Sequence, residues 1–284
     1  MTVFDLPAVR ALIDAALAED VGHGDLTTRL TVPPGLRATA AIVAKQEGVL
    51  AGAPLVDAVL AALGARDVRI AHHVEDGAAF AAGTTLVSLD GAAGDLLTGE
   101  RTALNFLQQL SGVATLTRRY VDAVRGTKAR VVDTRKTTPG LRVLEKYAVR
   151  MGGGHNHRFG LDDGILIKDN HITAAGGVGA AVGAARRGAP HTAAIQVECG
   201  TLEQVEEALA AGADAVLLDN MSVEQIAAGA RRIGLRAVIE ASGGVTLSTI
   251  RAIAETGVDL ISVGALTHSA PAIDLSMKIH HGVA

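Results

Sequence analysis

Between Thr134 and Lys168 the chain carries seven basic side chains, Arg135, Lys136, Arg142, Lys146, Arg150, Arg158 and Lys168, against only Glu145, Asp162 and Asp163. His155 and His157 lie in the same window. A positive cluster in a chain of formal net charge −4 focuses field on one cleft, and arginine offers a planar fork for carboxylate or phosphate. The chemistry this suits is the holding of a multiply anionic, phosphate-bearing substrate. Arg142, Lys146 and Arg150, spaced four apart, read equally well as the solvated face of a helix. Gly152, Gly153 and Gly154 lead into His155-Asn156-His157-Arg158, so backbone can approach a ligand just before donors are supplied; glycine triplets also make plain turns. Metal ligation by His155, His157 and His171 is a weaker alternative, because Asp162 and Asp163 lack ligand spacing and the surroundings are positive.

Two carboxylates, Glu198 and Asp219, end successive apolar runs. They suit ribose hydroxyls, a Mg²⁺ carried in by a pyrophosphate, or positive charge developing at a sugar carbon. Salt bridges to Lys136 and Lys168 are the plainer reading, and both can hold. Ser242-Gly243-Gly244 and Val263-Gly264-Ala265 follow later apolar runs, where backbone N–H groups can cradle a phosphate or merely turn the chain. Cys199, His72 and His73 have no partner spacing and read as structural.

The elements that must position these residues alternate from about residue 128 onward. Strands are expected at Arg130 to Thr134, Gly164 to Lys168, Ala194 to Glu198, Ala215 to Asp219, Ala237 to Glu240 and Leu260 to Val263, with helices near 174–188, 201–212, 222–233 and 246–256. That is a parallel sheet with crossover helices, and the candidate residues all follow strand ends, the rim on which an α/β barrel builds its active site. Gly212-Ala213-Asp214 and Gly257-Val258-Asp259 form a weak repeat, each glycine closing a helix before a strand. The expected fold is an incomplete, TIM-like parallel α/β barrel of about six to seven strands over 113–270, with an N-terminal α+β sandwich domain over 1–112. In the latter, helices at 7–19 and 53–63 flank strands at 38–44, 68–73 and 84–89, and a helix from Thr98 to Leu110 leads into the barrel. A C-terminal helix over about 270–284 is expected to pack back on the first domain.

Composition narrows the function classes. With 284 residues, 49% of them hydrophobic, the chain can bury a full core without disulfides or metal. Acidic balance and 2% aromatic content give no reason to bind nucleic acid. No run reaches the roughly 18 uncharged residues of a spanning helix, and Asp5 and Arg10 interrupt the start, so a cytoplasmic protein without a membrane segment is expected. The single cysteine, Cys199, cannot form an internal disulfide.

Seven motifs in order then resemble quinolinate phosphoribosyltransferase, also called nicotinate-nucleotide pyrophosphorylase. They are Glu19-Asp20-Val21-Gly22-His23-Gly24-Asp25-Leu26-Thr27-Thr28, Glu100-Arg101-Thr102-Ala103-Leu104-Asn105, Asp133-Thr134-Arg135-Lys136-Thr137, Gly152 to Arg158, Lys168-Asp169-Asn170-His171, Val197-Glu198 and Ser242-Gly243-Gly244. The resemblance implies that quinolinate and phosphoribosyl pyrophosphate give nicotinate mononucleotide, pyrophosphate and CO₂, with Mg²⁺, in de novo NAD synthesis. It also implies a homodimer or a multiple of dimers. By matching motif, Thr134, Arg135, Lys136, His157, Arg158 and Lys168 hold quinolinate, and Arg101 reaches the same pocket from the partner subunit. Lys136, Glu198 and Asp219 take the catalytic places, and Glu198, Asp219, Ser242, Gly243, Gly244, Val263, Gly264 and Ala265 hold phosphoribosyl pyrophosphate. Mg²⁺ is held mainly through pyrophosphate, with Glu198 and Asp219 in reach. Residues 50–98 carry no signature of the family. Competing readings are a related phosphoribosyltransferase with another acceptor, a Schiff-base lyase using Lys168, and a non-catalytic phosphate-ligand sensor.

Overall fold

The computed structural model describes residues 3–280. In chain order the elements begin with α1 (Pro7–Val21), α2 (Leu26–Thr31), β1 (Arg37–Ala44), β2 (Gly48–Val49), α3 (Pro54–Ala62), β3 (Arg69–His72), β4 (Ala79–Phe80), β5 (Thr85–Ala92) and α4 (Ala93–Ala123). They continue with β6 (Arg130–Val132), α5 (Arg142–Met151), β7 (Ile165–Ile167), α6 (Asp169–Ala175), α7 (Val178–Gly188), β8 (Ile195–Cys199), α8 (Leu202–Ala210) and β9 (Ala215–Asp219). The last are α9 (Val223–Ile233), β10 (Val238–Ser242), α10 (Ile250–Glu255), β11 (Leu260–Ser262), α11 (Ala265–His268) and β12 (Leu275–His280).

Two compact units result. One gathers the chain up to Arg118 with Thr137–Gly153 and the residues from Thr267 onward; the other is Arg119–Lys136 with Gly154–Leu266. In the first unit an antiparallel sheet runs in the order β12-β1-β5-β3. Ala38, Ala40, Ile42 and Ala44 of β1 face inward at the two-residue period of a half-buried strand. Leu55, Val56, Val59 and Leu60 of α3 are buried, as are Leu96, Leu104, Leu107, Leu110 and Val113 of α4. At Gly112 a Cβ would lie 2.2 Å from the Pro271 carbonyl oxygen, so only glycine lets the returning chain pass this close to α4.

Residue 112, the expected division, lies within the continuous helix α4, and Thr137–Gly153 clusters with the first unit. The expected C-terminal helix is corrected. Leu275–His280 is a strand paired antiparallel with β1 from Ala44↔Leu275 to Thr39↔His280; residues 281–284 of that expectation lie outside the described residues. Ile273, Leu275, Met277 and Ile279 alternate with polar neighbours, a strand period that a helix cannot use. The expected return of the tail to the first unit is kept.

The second unit is a parallel six-stranded sheet in the order β6-β11-β10-β9-β8-β7, open between β6 and β7. All six expected strands are present. β8 and β9 are buried nearly throughout, which explains their near-continuous apolar runs. The two Gly-x-Asp junctions play the same part. Gly212 and Gly257 adopt φ of +83° and +90°, and each following aspartate knits neighbouring strands at their N-terminal ends. Asp214 Oδ2 accepts from Ile195 N at 2.7 Å and Arg186 at 2.8 Å. Asp259 accepts from Ile239 N at 2.9 Å and Lys128 Nζ at 2.8 Å.

Candidate active site

The parallel register sets the rim. Ile167 pairs with Val197, Cys199 with Leu218, Asp219 with Ser242, and Val132 with Ser262, so the residues after each strand emerge at one end of the sheet. Thr134, Arg135 and Lys136 follow β6, Lys168 follows β7, Glu198 and Asp219 end β8 and β9, Ser242-Gly243-Gly244 ends β10, and Val263-Gly264-Ala265 follows β11. These residues lie in one unit; Arg101, exposed on α4, lies in the other, as do Arg142, Lys146, Arg150, Gly152 and Gly153 of the cationic window.

The glycine-led loop is held against the open edge of β6. His155 N donates to Val131 O at 2.9 Å and His155 O accepts from Asp133 N at 3.1 Å. The fully buried Asp133 then takes Asn156 Nδ2 at 2.6 Å on one oxygen and His157 N at 2.9 Å on the other. Arg158 donates to Gly164 O at 2.9 Å. Burial, reinforced by the charge of Arg135, holds its guanidinium below the ordinary arginine value, against a smaller opposing pull from Asp163. Two guanidinium charges that act on one another favour the approach of an anion.

Lys168 is ion-paired with Glu198 on the adjacent strand end, so that salt bridge of the sequence reading is present. Asp219 accepts from Asn220 Nδ2 at 2.7 Å, and the exposed Lys136 donates its N–H to Thr134 Oγ1 at 3.0 Å. Gly243 has φ +89°, and a Cβ there would lie 2.2 Å from Asn220 Oδ1. Gly244 has φ +60°, yet a Cβ would meet nothing within 4 Å. The first glycine is required by protein packing, the second by its backbone angle, with open space above it.

Glu240 and its neighbours, which the sequence reading passed over, support His157. Glu240, 1% exposed, accepts from Gln196 Nε2 at 2.7 Å and lies 3.3 Å from His157 Nε2. Burial works to raise its pKa, but hydrogen bonds from His157, Gln196 and Ser262 oppose it, and the carboxyl is held below the ordinary glutamate range. On α5, Glu145 and Lys146 are fully buried, which overturns the solvated-face reading for Lys146. Burial raises the Glu145 carboxyl above its ordinary value. Arg150 stays exposed, with its guanidinium 5.8 Å from the Tyr147 ring centroid. His171 Nδ1 accepts from Lys168 N at 2.9 Å as a helix cap, and no group of three or more metal-ligating side chains occurs among the described residues. The histidine metal alternative therefore has no geometry behind it. His72 and His73 bind Asp57 and Ser88 at 2.9 and 2.8 Å. Burial pushes the Cys199 thiol up to about 12, an inert state for a nucleophile.

A rim with a cationic lip at β6 and β7 and a carboxylate-and-glycine lip at β9, β10 and β11 can grip one anion while presenting acceptors to a second, sugar-bearing one. Known proteins agree with this chemistry. The chain matches the quinolinate phosphoribosyl transferase N-terminal domain over residues 25–111 and the C-terminal domain over 113–278. It is 46% identical over 280 residues to a nicotinate-nucleotide pyrophosphorylase of Mycobacterium leprae, covering 97% of this chain and 98% of that one. It is 39% identical over 295 residues to a decarboxylating mitochondrial quinolinate phosphoribosyltransferase of Nicotiana tabacum, covering 97% and 82%. The solved NadC structure from Streptococcus pyogenes superposes with a TM-score of 0.93 at 42% identity over 99% of both chains. Sequence, sheet order and rim chemistry agree, and the chain belongs to the quinolinate phosphoribosyltransferase family.

Proposed function

We propose that the rim divides the family's reaction, transfer of phosphoribosyl from phosphoribosyl pyrophosphate to quinolinate with decarboxylation, between its two lips. The observation that carries this is the placement of Arg135 after β6 and Lys168 after β7, with Arg158 on an Asp133-braced loop, cations that suit two carboxylates on one ring. Thr134, Arg135, Lys136, His157, Arg158 and Lys168 hold quinolinate, so that its ring nitrogen faces the sugar carbon. Lys168 and Glu198 neutralise each other in the free site. A carboxylate arriving at Lys168 takes over that charge and leaves Glu198, with Asp219, to face the ribose and the positive charge that develops as pyrophosphate departs. Ser242, Gly243, Gly244, Val263, Gly264 and Ala265 supply backbone donors to phosphate, and Lys136 serves the pyrophosphate end. Once the nitrogen–sugar bond has formed, the pyridinium charge stabilises the electron pair left on the adjacent carbon as CO₂ departs.

Glu198 and Asp219 fit Mg²⁺ as one or two carboxylates beside substrate phosphates, not as an all-protein cage. When bound, the ion would neutralise the leaving pyrophosphate. The proposed assembly is a homodimer in which the exposed Arg101 enters the partner's pocket, and the proposed setting is the cytoplasm, where the lone Cys199 stays reduced.

Purified protein given Mg²⁺, phosphoribosyl pyrophosphate and either quinolinate or nicotinate tests the acceptor. Nucleotide and CO₂ from quinolinate alone are expected. Product from nicotinate alone, or from neither, overturns the dicarboxylate reading.

A further inference from the structure

His157 Nδ1 accepts from the backbone N–H of Arg158 at 2.7 Å, and Nε2 lies 3.3 Å from Glu240 Oε2. The same Glu240 oxygen takes the Gln196 amide at 2.7 Å. A carboxylate this deeply buried is costly to keep charged, and none of the roles assigned to the rim uses it. The hydrogen bonds also fix the ring's proton. Nδ1 accepts only when it carries no proton, so the imidazole of the free site is neutral, with its N–H on Nε2 toward Glu240.

Glu240 of β10 lies beside the ring, and Asp133 at the end of β6 holds the backbone, its Oδ1 accepting from His157 N at 2.9 Å. Arg158 follows in the chain and Arg135 acts on Arg158 by its charge. Gln196 of β8 and Ser262 of β11 meet Glu240 and are neutral. An added proton on Nδ1 therefore meets the Arg158 backbone N–H, while the buried Glu240 carboxylate lies beside Nε2.

We propose that His157 takes up a second proton as a dicarboxylate binds, with Glu240 as its buried counter-charge. The inference rests on the dicarboxylate reading of this rim. A substrate carboxylate oxygen accepts the Arg158 N–H that Nδ1 had held; Nδ1 then gains a proton from solvent and donates to the same carboxylate. One N–H bond forms on Nδ1 and the bond that held that proton in a buffer acid breaks; no bond of the substrate changes. The Arg158 backbone N–H occupies the Nδ1 lone pair and opposes the imidazolium until a substrate carboxylate takes that N–H over, while Glu240 favours it from below. Asp133 keeps the His157 backbone in place, so the ring carries the change. His157 thus becomes a cation only when a ligand with charge to spare is present, and Glu240 is a positioning residue that acts through it.

Calorimetric titration of the intact protein with quinolinate at about pH 7.5, in two buffers of different ionisation enthalpy, counts the protons exchanged on binding. Uptake of about half to one proton per site is expected for the wild type. Glu240→Gln keeps the shape and an acceptor for both neighbours but removes the charge; it should lose most of the uptake and bind about tenfold more weakly. His157→Asn should abolish the uptake. Zero uptake by the wild type, uptake unchanged in Glu240→Gln, or uptake persisting in His157→Asn each overturns the proposal. If thermal melting shows Glu240→Gln unfolded, the wild type and His157→Asn decide the matter alone. Binding without proton uptake refutes only this inference; absence of both quinolinate binding and turnover refutes the dicarboxylate reading and takes this inference with it.

Discussion

Lys168 and Glu198 form one ion pair but are assigned to opposite ends of the reaction, and single substitutions separate them. Lys168→Ala removes a charge-assisted contact to a carboxylate and is expected to raise the quinolinate KM at least about tenfold. Glu198→Ala is expected to lower kcat at least about tenfold with a smaller effect on quinolinate KM, because its partner is the sugar in the transition state. Steady-state kinetics with both substrates varied checks this, and a pure quinolinate KM effect for Glu198→Ala would contradict its role. The cations of the site were legible in the sequence because they crowd one window and follow β-branched runs. Glu240 was not, since it ends the run Val238-Ile239-Glu240 with no charged neighbour to mark it. Only its register beside Leu217 and Leu260, inside the sheet with Gln196 and His157, shows what it does. Lys146 was left open for the opposite reason: a four-residue spacing describes a helix face but does not say whether that face is wet.

At the scale of elements, the repeated Gly-x-Asp junction was visible as a pattern while its work was not. Asp259 has its carboxyl held below the ordinary aspartate value; burial opposes this, and Lys128, the Ile239 N–H and the charge of Arg130 outweigh it. A depressed folded value means stability present above the unfolded pKa and lost as pH falls through the folded one. Asp259→Asn should therefore lose about 1–3 kcal/mol near pH 6, with the deficit shrinking toward about pH 3. Denaturant unfolding at both pH values checks it, and a deficit independent of pH would assign the loss to packing instead of charge. The two rim glycines make a second contrast. Gly243→Ala forces a Cβ onto Asn220 and should lower both stability and phosphoribosyl pyrophosphate affinity. Gly244→Ala points into open space and should cost only about 1 kcal/mol of stability, yet raise the phosphoribosyl pyrophosphate KM at least about tenfold if phosphate occupies that space. An unchanged KM in Gly244→Ala would remove this loop from the phosphate site. The C-terminal strand was missed because its alternation is short and sits at the end of the chain, where only pairing with β1 reveals it.

At the scale of the whole molecule, the chain leaves its first unit at α4, returns to it for Thr137–Gly153, and ends in it. No reading of local periodicity could show this, because α5 looks like any crossover helix until its buried Glu145 and Lys146 are seen. The same interleaving puts Arg101 in one unit and the other proposed quinolinate holders in the second, which makes the origin of Arg101 a question about assembly. If it is donated by the partner subunit, Arg101→Ala and Lys168→Ala proteins should each be nearly inactive alone. A mixed dimer would then contain one site with both defects and one with neither. Unfolding and refolding the two variants together in equal amounts makes about half of the dimers mixed, so activity should return to about one quarter of the wild-type value per subunit. If Arg101 served the site of its own chain, every site in the mixture would keep one defect and the activity would stay at the level of the single variants. The size of the recovery therefore reports which chain supplies the arginine, independently of how strongly either residue binds the substrate.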